Sequence, residues 1–148
     1  MKDIFKRQKQ FINEIESGLF HVLQTTIQSF DFVLKDYVVN KQLFQKGIDG
    51  NGKRLPGYTR TTIRIKISKG QPVDRTTLHD SEQFVDSIRI DAFSDRFEIS
   101  SDVPHDKFII KRYNQNEILK ITDENFREFL KIYFLPKLKQ FANDKATR

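Results

Sequence analysis

Lys53, Arg54, Arg60, Arg64, Lys66, Lys69 and Arg75 fall within one short window of the chain, against a single acid, Asp74. Their surplus of six positive charges equals the formal net charge of +6 for all 148 residues, so the rest of the chain is balanced. Such a concentration of cations meets polyanions or acidic protein surfaces, and it speaks to association rather than to fold. The pI near 9.5 points the same way and invites a nucleic-acid reading. Tyr58 is the one aromatic among these cations, which is thin for a platform that stacks bases. Arg54, Tyr58, Arg60, Arg64, Lys66, Lys69 and Arg75 therefore form the candidate interface, facing either DNA or an adjacent subunit. The plain alternative is a solvated basic surface.

The start of the same region imitates two ligand loops. Gly47-x-x-x-x-Gly52-Lys53 matches the first part of a phosphate-binding loop, but Arg54 stands where a Ser or Thr must hold magnesium, and Pro56 and Gly57 replace the helix that should follow. Asp49-Gly50-Asn51-Gly52 resembles the opening of a calcium loop, yet Lys53 and Arg60 occupy positions that need oxygen ligands. A glycine-rich turn or hairpin is the reading that remains. His79-Asp80 has the form of the dyad in metal phosphohydrolases. That chemistry needs more ligands, and the chain has only two other histidines, His21 and His105. His21, between Phe20 and Val22, reads as structural. No Ser–His–Asp set, carboxylate pair or metal cluster converges. No catalytic, cofactor-binding or metal-ligating residue is assigned, and the chain reads as a non-enzyme with no cofactor. The absence of cysteine excludes disulfides and thiolate metal sites.

The elements that must position the basic segment follow from periodicity. Residues 3–36 read as one long amphipathic helix with a possible break, its stripe formed by Ile12, Ile15, Leu19, Val22, Thr26, Phe30, Val33 and Tyr37. Gly18 inside it marks a kink or a close helix contact. A further helical piece covers 37–45. Over 60–67 the evidence divides: Thr59 is a helix cap, whereas Ile63, Ile65 and Ile67 alternate with Arg64 and Lys66 as in a strand. A short helix from Leu78, capped by Asp80 or Ser81, leads into a β-hairpin. With a turn at Ser94-Asp95, Phe93 meets Arg96, Ala92 faces Phe97 and Ile90 faces Ile99. Residues 104–113 read as a helix or third strand, and Ile118–Ile121 as an apolar step. Thr122 caps a C-terminal helix striped by Phe126, Phe129, Leu130, Tyr133 and Phe134, interrupted at Pro136, continued by Leu138 and Phe141, and frayed from Asn143.

The predicted fold is therefore α+β and single-domain over 1–148: helical over 1–45, an extended glycine-rich basic arm or loop over 46–76, helix plus hairpin sheet over 77–121, and a C-terminal helix over 122–142. Such a length buries roughly 70% of the unfolded surface, and fourteen Phe with no Trp supply bulky anchors. The start, MKDIFKRQKQ, lacks the apolar region of a signal peptide, and no run approaches the roughly 20 apolar residues of a membrane span.

Residues 43–140 resemble a family of bacteriophage virion-morphogenesis proteins, also described as tail-completion, neck or head–tail connector proteins. The resemblance is carried by Leu43-Phe44, Gly47-x-Asp49-x-x-Gly52-Lys53-x-Leu55, Tyr58-Thr59-x-x-Thr62-Ile63 and Lys69-Gly70-Gln71-Pro72. It continues through Asp74-Arg75-x-Thr77-Leu78-x-Asp80, Phe84-x-x-Ser87-Ile88, Tyr113 and Ile118-Leu119-x-Ile121-Thr122-x-Glu124-Asn125. Glu82 departs from the family's small residue, and Asn114 replaces its glycine. The resemblance implies long N- and C-terminal helices packed on a small antiparallel sheet. It implies a structural subunit of the virion neck or tail that acts by assembly, in a homo-oligomeric ring of about six or twelve copies. The expected partners are other neck, portal-adaptor or tail proteins, with DNA passing through the lumen and no membrane. The expected location is the virion, and the bacterial host cytoplasm during assembly.

Overall fold

A computed structural model describes residues 2–78, 82–102 and 112–147. Helix α1 spans Lys2–Ser29, and α2, Asp31–Asp36, runs on into a π-helical stretch, π1, at Tyr37–Lys46. Then come α3, Arg60–Ser68; α4, Glu82–Ser87; strands β1, Ile88–Ala92, and β2, Phe97–Ser101; and α5, Gln115–Ile118. The C-terminal helix is built as α6, Asp123–Phe129, π2, Leu130–Phe134, and α7, Leu135–Ala146. The result is α+β, rich in helix, with a two-stranded antiparallel sheet.

The break in the N-terminal helix falls at Phe30, whose φ of −127° and ψ of 28° leave the helical region. Gly18 is instead a close contact: a Cβ there would collide with the Phe141 ring of α7. Phe30 also packs against Tyr133, the rings tilted with centroids 4.7 Å apart. These two contacts set α1 and the C-terminal helix antiparallel. A 28-residue helix is roughly 42 Å long. Past the Phe141 crossing little of α7 remains to cover it, so Ile12 and Ile15, expected on the buried stripe, are exposed, while Thr26 and Ile27 are buried.

The hairpin has the predicted register. Ile90 pairs with Ile99 and Ala92 with Phe97, and the Phe93 N–H donates to the Arg96 carbonyl at 2.7 Å across the Ser94-Asp95 turn. The inward side chains pack on a line of rings: Phe97 to Phe126 at 5.4 Å, Phe126 to Phe129 at 6.4 Å and Phe129 to Tyr133 at 5.3 Å. Each such pair contributes about 1 kcal/mol beyond its buried area. Leu34, Val38, Leu43, Ile118 and Phe129 close the core. Thr122 caps α6 as expected, its Oγ1 accepting the Asn125 N–H at 3.3 Å. Pro136 lies one residue into α7, directly after the π turn, and the helix then continues to Ala146, into the tail expected to fray from Asn143. The proposed caps Asp80 and Ser81, the His79-Asp80 dyad, His105 and most of the 104–113 segment lie outside the described residues.

Candidate assembly surface

The basic region is not the extended arm expected over 46–76; it is folded at both ends around a helix. At its start the backbone turns back on itself. The Leu55 N–H donates to the Gly47 carbonyl and the Asp49 N–H to the Lys53 carbonyl, both at 2.9 Å. Gly47 has φ +61°, a left-handed value that suits glycine. Asp49 is buried, and its Oδ1 accepts the N–H groups of Asn51 and Lys53 at 2.9 Å each. One of its carboxylate oxygens is thereby engaged in holding the turn. The Gly50 N–H donates to the Glu117 carbonyl at 2.7 Å, tying the turn to α5.

The ambiguity over 60–67 resolves as a helix. Thr59 Oγ1 accepts the Thr62 N–H at 3.2 Å. The described sheet holds only β1 and β2, so a strand here would have no neighbour for its three isoleucines. The helix stands on a single edge. Lys66 is only 2% exposed, whereas Ile65 and Ile67 are 47% and 62% exposed. Those two isoleucines lie about 200° apart around the axis, so both flanks of α3 face outward.

Three of the seven candidate residues are structural anchors. Lys66 Nζ donates to Gln71 Oε1 at 3.0 Å and lies 4.8 Å from the centroid of the Tyr58 ring. The Tyr58 hydroxyl accepts the Thr77 N–H at 2.7 Å. Arg75 Nε donates to the Phe44 carbonyl at 2.7 Å, and the same guanidinium pairs with Asp74 at 2.8 Å. Thr76, also buried, donates from Oγ1 to the Pro56 carbonyl at 2.6 Å. Beside it Tyr113 is pushed above the ordinary phenol value, chiefly by burial. Asn114 follows with a positive φ of 24°, the conformation that lets it stand in for glycine. The other four, Arg54, Arg60, Arg64 and Lys69, are exposed. Arg60 and Arg64 lie one turn apart on α3, and neither has an acid within ion-pair reach among the described residues.

Sequence reasoning missed what braces the root of this surface. Gln42, 0% exposed in π1, donates from Nε2 to the Lys120 carbonyl at 3.0 Å. Its Oε1 accepts the Thr122 N–H at 2.8 Å and Asn125 Nδ2–H at 3.1 Å. The partners are about 80 positions away, so no local signal marks them. Immediately before Gln42, Lys41 reaches both carboxylate oxygens of Glu128 at 3.0 Å and sits 3.8 Å from the Tyr37 ring centroid. The hydrogen bond from Lys41 holds Glu128 below the usual carboxylate value. For Lys41, burial pulls the other way, but the Glu128 hydrogen bond and the neighbouring Tyr37 and Glu128 charges outweigh it and raise the ammonium. Burial leads in raising Tyr37.

A lowered carboxyl stabilises the fold above its unfolded value, and that contribution is lost as pH falls through the folded one. Glu128→Gln is therefore expected to cost a little stability at neutral pH and nothing well below the carboxylate range, the effect being small because the pair faces solvent. Urea midpoints of both proteins at the two pH values measure it. A deficit that persists in acid would show that the ion pair is not its cause.

Among the described residues no group of His, Cys, Asp and Glu side chains is placed to hold a metal, and no helix is long and apolar enough to cross a membrane. Compared with protein families, curated proteins and solved structures, the chain matches none of them.

Proposed function

We propose that this chain is a structural subunit of a bacteriophage neck or tail, a tail-completion or head–tail joining protein that acts by assembling into a ring. The observation that carries the reading is a basic helix that exposes Arg60, Arg64, Ile65 and Ile67 while its Lys66 is buried on a braced root. The residues on which the family resemblance rests are also those that build this root: Gly47 in its left-handed turn, Asp49 bonded to the loop, Tyr58 on Thr77, and Arg75 on the carbonyl of Phe44. A device of this kind presents a contact surface to a neighbour, and nothing in it requires chemistry. The basic helix faces an adjacent subunit or a portal-side partner. Quantitative mass spectrometry of purified particles, counting this chain against the portal protein, tests the reading. A small fixed ratio is expected; absence from particles overturns it.

The second reading is a nucleic-acid-binding module, with DNA in the lumen as the natural ligand. It is favoured by Arg60 and Arg64 on one exposed face of α3. Phosphate neutralisation releases counterions, so affinity for duplex DNA would fall steeply with salt. No binding at low salt removes this reading.

A further inference from the structure

Two open surfaces among the described residues differ in kind. The first is α3, with Ile65 and Ile67 exposed on opposite flanks and Arg60 and Arg64 beside them. The second is a notch of about 260 Å³ between α1 and the hairpin tip, walled by Phe20, Leu23, Ile27, Phe93, Phe97 and Phe126. Phe20 and Phe93 are themselves largely exposed at its mouth. The notch is apolar and takes an aliphatic side chain; Asp95 and Arg96 form its lip.

Charge indicates what fills it. Residues 86–102, which run into and out of the hairpin, carry five acids (Asp86, Asp91, Asp95, Glu98 and Asp102) against Arg89 and Arg96. Both arginines are already engaged within the segment: Arg89 with Asp102, and Arg96 with Glu98 at 2.8 Å and Asp95 at 3.1 Å. Asp91 pairs directly across from Glu98, and like charges so opposed are destabilising. No cation lies within ion-pair reach of Asp91 among the described residues. The hairpin therefore carries surplus acids and exposes an apolar notch, while α3 carries surplus cations and exposes isoleucines.

We infer that α3 of one copy docks into the α1–hairpin notch of the next, with Ile67, which shares the face of Arg60 and Arg64, entering the notch and the two arginines meeting Asp91, Asp95 and Glu98. The two halves of this contact are unlike, so the interface is head-to-tail. Repetition of such a contact closes a ring when the rotation permits and grows a filament when it does not. The inference deepens the ring reading and rests on it for closure, but the contact itself is tested with the isolated protein.

The absence of cysteine makes a direct test available. Ile67→Cys and Phe93→Cys each alter an exposed side chain, so both variants are expected to fold, which circular dichroism verifies. Under mild oxidation neither single variant is expected to cross-link to itself. An equimolar mixture of the two should give a disulfide-linked dimer and nothing larger. The double variant should give a ladder of oligomers or one closed species, and high salt should weaken both reactions. Homodimers from either single variant would mean a self-complementary contact and overturn the inference. So would no cross-link in the mixture, whether α3 then proves idle or binds duplex DNA at low salt. Particle counting is independent of these results: a chain absent from virions that still forms the mixed dimer would sink the functional reading and leave the contact standing.

Discussion

Gly50→Ala is expected to cost about 3 kcal/mol, because overpacking a closed site typically costs 1–3 kcal/mol and the substitution also strains a buried hydrogen bond. A Cβ on Gly50 would fall inside the van der Waals envelope of the Lys120 carbonyl oxygen, and only 2.6 Å from its carbonyl carbon. These are backbone atoms of the segment that Gln42 also holds, so they cannot swing aside. For a chain of this length the loss corresponds to a fall in Tm of roughly 6–12 °C. Two other glycines grade the effect. At Gly52 a Cβ meets nothing within 4 Å, but φ is +78°, so Gly52→Ala pays only the left-handed backbone cost of about 1–2 kcal/mol. At Gly57 there is neither a close atom nor a left-handed φ, so Gly57→Ala should be neutral or slightly stabilising. Thermal melts of the three variants should order as Gly50 far below Gly52, and Gly52 below Gly57. Equal melting of the Gly50 and Gly52 variants would refute the close approach to Lys120.

Gln42→Leu is the second large effect. The substitution keeps the bulk of the side chain and removes all three of its hydrogen bonds. The Lys120 carbonyl, the Thr122 N–H and the Asn125 amide are then left without this partner in a site closed to solvent. An orphaned buried polar group costs about 1–3 kcal/mol, and three such groups with some relaxation amount to roughly 4 kcal/mol. Gln42→Glu separates polarity from packing. A carboxylate accepts from Thr122 and Asn125 but opposes the Lys120 carbonyl, so the buried acid is favoured protonated and its folded pKa is raised. The penalty is then full above the folded value and shrinks as pH falls through it towards the unfolded one. Urea titrations at several pH values measure both variants. A Leu variant as stable as the parent would show that the bonds contribute nothing net.

These two sites also mark where sequence reading stops. The hairpin register was legible because Ile90, Ala92, Phe97 and Ile99 alternate with polar residues, and a one-residue slip would turn them all outward. Thr122 and Thr59 were legible because a cap bonds to its own next turn. Gly18 was readable as a possible close contact, but its partner, Phe141, was not. The Ile63–Ile67 alternation left helix and strand both open, since β-propensity describes fitness for a pleated surface and none adjoins this segment among the described residues. In the candidate surface, charge identified the segment but could not sort its members. Whether Lys66 is a contact or an anchor depends on Gln71, the Tyr58 ring and the path of the loop between them. Gln42 and Gly50 gave no signal at all, because both act on backbone that returns from about 70–80 residues later in the chain.

The wide turn of π1 gives one exposed residue an unexpected part. An α-helix brings residues into line at three and four positions apart, whereas the π repeat does so at five. Tyr37 thus lies in line with Gln42, and Val38 with Leu43, and all four are buried. Asn40 lies between these pairs, exposed, with its amide resting on Asp36 at 2.6 Å. Its chemistry is incidental; its presence in the count is not. Keep that residue but tighten the turn to the α repeat, and everything on one side of it rotates by about 100° relative to the other. The carboxamide that clasps Lys120 and Thr122 would then point elsewhere, with no buried atom changed. Remove Asn40 as well, and Tyr37 and Gln42 stand four apart, in line again on the α repeat: the wide turn absorbs one extra residue, whose identity is free, and so keeps the phase of the helix that braces the basic surface.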